Sequence, residues 1–441
     1  METYLLIFKL SIVLAVGFIG AIIARKFKLP NVSGYLVLGL LLGPSWGLLF
    51  PGFEGIITPK DNENLKFLSE IALAFIAFSI GSEFAIKSIK KMGKSVIILT
   101  TFEVLGAVAL VFIAMLLVPK PEIIQPGYQI LGNNNIAFAM ILASMSAATA
   151  PAATLLVIRQ YRAYGPVTKN ILPITALDDI YGIVVFGFFI SIAQILAGHS
   201  TITNPALMFS KPFIEVFGSI ILGMVIGFIL SKISNLFKSI RDDIQVLSIT
   251  AILFTIGSIY LLNHYLEDFG LEFSQLLANI MVGSMVANIA KKPESNFNSI
   301  NDLATPFFVI FFVLAGASLD LGVIRSDILV LGISVVYIIA RGSGKILGIA
   351  IGAKIVKSEP TVKKYLGIAL LPQGGVSIGL LVVVYSQMRS FYPVISTIIM
   401  LSILVYETMG PIFAKYSLTK SGELYALDRL NQPSELDDSH I

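Results

Sequence analysis

No cysteine occurs among the 441 residues, which excludes disulfides, thiolate metal ligands and thiol nucleophiles. Histidine occurs three times, at His199, His264 and His440, all in expected loops or the tail. A histidine metal cluster within an apolar segment is therefore excluded, and no metal cofactor or other prosthetic group is expected. Charge is also scarce: 13% of residues are Asp, Glu, Lys or Arg, about half the usual share for a soluble domain. Hydrophobic residues reach 56%, and the mean hydropathy is +0.86. A water-soluble fold of this length needs more polar surface than this, so an ordinary soluble enzyme and a disordered chain are both excluded. The net charge of +4 belongs to loops and makes no basic face, so no nucleic-acid partner is expected. Neither a P-loop nor any other nucleotide-driven module is visible, so a transporter here would be secondary, powered by an ion gradient. The first apolar run, from Tyr4, lacks a basic leader and a small-residue cleavage site, so no cleaved signal peptide is expected.

What remains is an all-α polytopic membrane protein. A bilayer-spanning helix takes about 20 apolar residues. Thirteen apolar stretches are found, at 3–24, 33–50, 65–82, 95–118, 135–158, 170–197, 213–231, 244–263, 274–290, 303–322, 328–350, 365–387 and 392–414. Lys and Arg gather in alternate connections, as at Lys87, Lys90, Lys91 and Lys94. The opposite set holds only Lys60, Lys66, Lys120, Lys211, Arg325 and Arg389. This asymmetry keeps register along the chain and predicts an external N-terminus and a cytoplasmic C-terminus in the plasma membrane.

Ionisable groups inside a bilayer are costly and mark function. Asp178 and Asp179 lie in the sixth stretch, nine residues past Lys169, or roughly 13 Å along a helix. Adjacent residues differ by about 100° around the axis, so one carboxylate can meet a protein cation while the other faces a cavity. A buried carboxylate of this kind can trade a proton for a metal cation. Arg341 and Lys345 share a face of the eleventh stretch and need partners; an ion pair with Asp178 is expected. Glu70 in the third stretch and Glu103 in the fourth are weaker candidates for pairing with Arg341, and Glu407 in the thirteenth is similar. Asn279 and Ser284 read as helix-packing polars.

The backbone carries a further signal. Pro151, beside Thr149, interrupts the fifth stretch; Pro372, Gly374 and Gly375 interrupt the twelfth. Two interrupted segments in corresponding places point to a transporter binding site. Stretches five and twelve are seven apart, and an odd offset gives opposite orientations, as an inverted repeat requires. The expected architecture is therefore a core bundle (95–197 and 323–415) built around two crossed discontinuous helices. A scaffold (1–94 and 244–322), a linking helix (198–243) and a short cytoplasmic tail (416–441) complete it.

The segment from Leu29 to Pro44, LPNVSGYLVLGLLLGP, resembles the opening signature of the cation:proton antiporter superfamily, in the branch of NapA- and GerN-type sodium/proton antiporters and Kef-type potassium efflux proteins. FLSEIALAFIAFSIGSEF, with Glu70 and Glu83, resembles the third helix of that branch. The resemblance covers nearly all of 3–415, and the double aspartate is its specific mark; GKILGIAIGAK resembles the helix carrying the family's lysine, here Lys345. The resemblance implies an NhaA/NapA-like fold and a homodimeric assembly in the lipid bilayer. It implies that Asp179 is the principal cation and proton site, and that Asp178 is the partner that exchanges a salt bridge with Lys345 for a proton. It also implies that Thr149 and nearby backbone oxygens complete the cation shell. Two departures stand out: AATAPAAT is poor in hydroxyls for a sodium site, and Arg341 lies one turn before Lys345. The expected function is exchange of a monovalent cation, sodium ahead of potassium or lithium, for protons, with no enzymatic reaction. The alternatives are a potassium/proton antiporter, a cation channel or uniporter using the same cavity, and a non-transporting sensor.

Overall fold

The computed structural model describes residues 2–27, 31–45, 55–86, 93–125, 127, 129–150, 154, 157–158, 161–198, 205–236, 241–266, 271–318 and 328–426. Among the described residues all regular structure is helical. In chain order the α-helices are α1 (Glu2–Lys26), α2 (Asn31–Leu40), α3 (Pro59–Asn64), α4 (Lys66–Ile80), α5 (Gly93–Leu117), α6 (Asn133–Met145), α7 (Pro166–Leu196) and α8 (Pro205–Ser234). They continue as α9 (Arg241–Tyr265), α10 (Gln275–Ile289), α11 (Pro293–Ala317), α12 (Leu329–Ile355), α13 (Pro360–Ala369), α14 (Gly375–Gln387) and α15 (Tyr392–Lys420). Pro151 and the tail from 427 lie outside the described residues, and Glu83 sits in a 3-10 turn after α4.

Local chemistry explains where several helices start. Prolines occupy the first turn of α7, α11 and α13, where the missing N–H costs nothing and φ is already helical. The short α3 opens with a reciprocal cap: the Thr58 side chain accepts from the Asp61 amide, and the Asp61 carboxylate accepts from the Thr58 amide. Outside the membrane-spanning stretches, Asp61 also receives the Lys9 ammonium. Burial alone would raise the Asp61 carboxyl, but Lys9 and Thr58 outweigh it and hold it below the usual carboxylate range.

Among the described residues, eight helices are long and apolar enough to cross a membrane: α1, α5, α7, α8, α9, α11, α12 and α15. The other five expected stretches carry the shorter α2, α4, α6, α10 and the α13–α14 pair. Packing falls into two groups. The most extensive pair is α5 with α12, and around it gather α6, α7, α13 and α15, with α14 against α15. In the second group α8 lies on α10, α2 packs against α1 and α11, and α4 packs against α10 and α11.

Two stretches stop short of a full span. After Met145 the chain leaves the helix for residues 146–150, and after Ala369 it does so again for 370–374. These segments meet: the Ala150 amide donates to the Pro372 carbonyl at 3.0 Å, and the Thr154 hydroxyl donates to the Ala369 carbonyl at 2.8 Å. Non-helical backbone at this depth requires protein partners, and each break supplies the other's.

Candidate functional site

The site grows from the α5–α12 contact. Gly106 on α5 and Gly344 and Gly348 on α12 face each other so closely that a methyl group on any of them would run into the opposite backbone. Small residues let the two helices touch, and the side chains beside them meet. Glu103 and Lys345 flank that contact and form an ion pair with both side chains at 0% exposure. The Lys345 ammonium also donates to the Ala147 carbonyl at 2.6 Å and to the Thr149 hydroxyl at 2.7 Å. Thr149 in turn donates to Asp178 Oδ2, which lies 3.4 Å from Lys345 Nζ. The ammonium therefore reaches Asp178 partly through a hydroxyl relay. Glu103 Oε2 and Asp178 Oδ1 are buried acceptors that receive no hydrogen bond among the described residues. Asp179, the next residue on α7, is 7% exposed.

The sequence places Arg341 among the charge-compensating groups, and the structure gives it a different partner. Its guanidinium donates to the carbonyls of Ser146 (3.1 Å), Ala148 (2.7 Å) and Leu371 (2.6 Å), and reaches that of Pro372 at 3.4 Å. It stacks 4.7 Å from the Tyr406 ring. A helix leaves carbonyls unpaired at its C-terminal end, where the macrodipole is negative. One buried cation thus serves the ends of α6 and α13 together. The expected pairing of Arg341 with Glu70 or Glu103 does not form: Glu103 holds Lys345. Glu70 lies 3.6 Å from Lys66 and accepts from Tyr260, because α4 faces α10 and α11 rather than α12.

Around the second break, Gln373 is fully buried and donates to the Tyr337 hydroxyl (3.2 Å) and Ser377 (3.1 Å), while Ser402 donates to its carbonyl oxygen at 2.7 Å. Sequence reasoning passed over Gln373, Tyr337, Ser402 and Tyr406, although the amide set between Pro372 and Gly374 was a visible signal. Glu407 lies against Gly374: a Cβ there would sit 2.5 Å from Glu407 Oε1. Gly375 begins α14.

A second buried charge cluster lies at the far end of α7, about 20 Å beyond Asp178 along the axis. Glu215 accepts from Ser191 and from the Glu272 amide (2.7 Å), with Lys211 at 3.6 Å. Lys211 donates to Gln194 at 3.0 Å, and Gln194 donates to Glu272 at 2.9 Å. Glu70, Glu272 and Lys211 line a neighbouring cavity of about 500 Å³.

The transmembrane sodium/hydrogen exchanger family model matches residues 12–415. A protein of Enterococcus hirae named as a Na(+)/H(+) antiporter is 25% identical over 423 residues, covering 93% of this chain and 97% of the relative. A K(+)/H(+) antiporter subunit of Bacillus subtilis, KhtU, is 22% identical over 322 residues, 71% of each chain. Among solved structures, the sodium proton antiporter MjNhaP1 of Methanocaldococcus jannaschii superposes with a TM-score of 0.68 at 21% identity, covering 95% of this chain and 100% of that one.

Proposed function

Because the chain belongs to the sodium/hydrogen exchanger family, we propose that it is a secondary antiporter that exchanges a monovalent cation, sodium ahead of potassium or lithium, for protons. The observation that carries this reading is a charge imbalance. Among the described residues at the two breaks, two cations, Lys345 and Arg341, accompany four carboxyl groups, Glu103, Asp178, Asp179 and Glu407. Arg341 is committed to backbone carbonyls. Lys345 is shared between Glu103 and Asp178. Burying an ionised carboxylate without a counter-charge costs several kcal/mol. A proton or a metal cation removes that cost, and one excludes the other: a protonated aspartate holds a cation poorly, and a bound cation expels the proton.

In this reading Asp179 carries the exchanged ion. Asp178 trades its contact with Lys345 for a proton, and Thr149 with neighbouring carbonyls completes the shell. Glu103 holds the Lys345 ammonium, and the exchanged protons are those of the aspartates. The helices around α5 and α12 act as the moving core of thirteen spans, with two crossed breaks related by an inverted repeat. The helices around α2, α4, α10 and α11 act as a scaffold and homodimer face. The N-terminus is external and the C-terminus cytoplasmic, in the plasma membrane. A potassium/proton exchanger is the second reading. It is favoured by the shortage of hydroxyls near the first break, where Thr154 is already spent on Ala369.

The test is made in proteoliposomes holding a pH gradient and a pH-sensitive dye, with NaCl, KCl and choline chloride added in turn. Dequenching by Na+, lost in Asp179→Ala, supports sodium/proton exchange through the aspartate. Equal responses to Na+ and K+ broaden the substrate. No response from inserted, folded protein rejects antiport and leaves a channel or sensor.

A further inference from the structure

The helix that carries Asp178 and Asp179 has no cap of its own. Its N-cap is Gly165, which offers no side chain, and Pro166 follows at the first helical position. The amides of Val167 and Thr168 instead donate to the two carboxylate oxygens of Glu423, at 2.7 and 2.8 Å, and the Thr168 hydroxyl donates to Glu423 Oε2 at 2.6 Å. Glu423 lies beyond the end of α15 and is 3% exposed. An anion at a helix N-terminus satisfies orphan amides and meets the positive end of the macrodipole. Gly165 makes room for it: a Cβ there would come within 2.7 Å of Glu423 Oε1 and closer still to the carboxyl carbon.

The attachment extends on either side. The Tyr164 amide donates to the Glu423 carbonyl at 3.1 Å, and the Tyr425 amide donates to the Tyr161 carbonyl at 2.9 Å. The rings of Tyr161 and Tyr425 meet edge to face at 5.8 Å, and Leu424 packs on the buried cluster that includes Val167, Ile171 and Leu418. Nothing in the ion exchange described above uses this contact.

The geometry points to Glu423 as a positioning residue for the ion site, which rests on the antiport reading. The carboxylate ties the first turn of α7 to the end of α15. The aspartate pair lies about 18 Å further along α7, and α15 carries Glu407 at the second break. With Glu423 in place, the two helices hold their acidic groups in register with Lys345 and Thr149. Without it, the first turn of α7 loses its acceptors, α7 shifts against α15, and the aspartates hold a cation less well.

The experiment measures Na+-driven proton movement in proteoliposomes for wild type, Glu423→Ala, Glu423→Gln, Gly165→Ala and the Glu423→Ala/Gly165→Ala double variant, with melting in detergent recorded in parallel. Loss of a helix cap corresponds to about a fivefold effect. The half-saturating Na+ concentration should therefore rise about fivefold in Glu423→Ala and in Gly165→Ala. It should rise no further in the double variant, and less in Glu423→Gln, which keeps one acceptor oxygen. Maximal flux should change little. Variants that melt earlier but keep the wild-type half-saturation would overturn the proposal, and so would independent, additive effects of the two single changes. A wild type that moves no protons for any cation rejects the antiport reading itself, whereas an active wild type with an indifferent Glu423→Ala rejects this proposal alone.

Discussion

Two buried charge clusters sit on the same helix and differ in how fully their charges are met. At the far end of α7, Glu215, Lys211, Gln194 and Glu272 form a closed circuit in which each side chain has a partner. At the centre, carboxyl groups outnumber cations, and Glu103 Oε2 and Asp178 Oδ1 accept nothing among the described residues. The far cluster joins α7 and α8 to the short segment that leads into α10, whereas the central one lies where two membrane-depth helices break and backbone carbonyls turn inward. Burial of charge alone therefore does not make an ion site. On the proposed reading, an excess of acceptor capacity that a mobile cation or proton can fill does, and a satisfied circuit serves as structure.

The sharpest way to break this comparison is to neutralise one acid in each cluster. Asp179→Asn should lower cation-driven proton flux by about two orders of magnitude or more while the protein still folds. Glu215→Gln should leave the half-saturating cation concentration unchanged and instead cost about 3 kcal/mol of stability, because it removes the carboxylate that faces the buried Lys211 ammonium. Flux assays and thermal unfolding of both variants check this, and a Glu215→Gln with altered ion affinity would erase the distinction. Next in size is Arg341→Ala. It leaves the carbonyls of Ser146, Ala148 and Leu371 without their donor, at about 1–3 kcal/mol for each unsatisfied group. The variant should melt far below wild type, with Arg341→Lys intermediate. A stable Arg341→Ala would show that the helix ends need no cation.

Smaller effects sharpen the account. In Glu103→Gln, Lys345 keeps only one carboxylate and grips Asp178 more firmly, so the cation competes less well. The half-saturating concentration should rise about tenfold, equivalent to roughly 1.4 kcal/mol, with flux retained. An unchanged affinity would mean that Glu103 does not tune Asp178. The least effect belongs to Asp61, outside the spans, which pairs with Lys9. Its carboxyl is held below the ordinary 3.8, so its contribution to stability is complete above that pH and is lost as the pH falls through the lowered value. Asp61→Asn should cost about 1 kcal/mol at neutral pH, and the gap should close in strong acid; melting curves across pH show whether it does.

Several of these residues are legible in the sequence itself. Asp178, Asp179 and Lys345 announce themselves as charges in apolar runs, because the cost of burying them makes accident improbable. Pro372 and Gly374 mark a break because one lacks an amide donor and the other a side chain. Partnership was harder to read, since spacing gives depth and face but not the neighbouring helix. Glu70 and Glu103 looked alike in sequence, and only the glycine contact of α5 with α12 assigns Glu103 to Lys345. The role of Arg341 was hidden because its acceptors are backbone carbonyls, which exist as a site only after two distant breaks meet. Glu423 was hidden for a related reason. It lies in a polar tail, and its partners are two amides more than 250 residues earlier in the chain.

Competition at one site is the centre of the account, and proton release on cation binding tests it most directly. Purified protein in a weakly buffered detergent solution would be titrated with NaCl while the pH is followed, over a range of starting pH and with Asp179→Asn alongside. The account predicts that Na+ binding releases protons, that apparent affinity for Na+ weakens as the pH falls, and that both effects vanish in Asp179→Asn. Saturable Na+ binding with no proton release and no dependence on pH would contradict it.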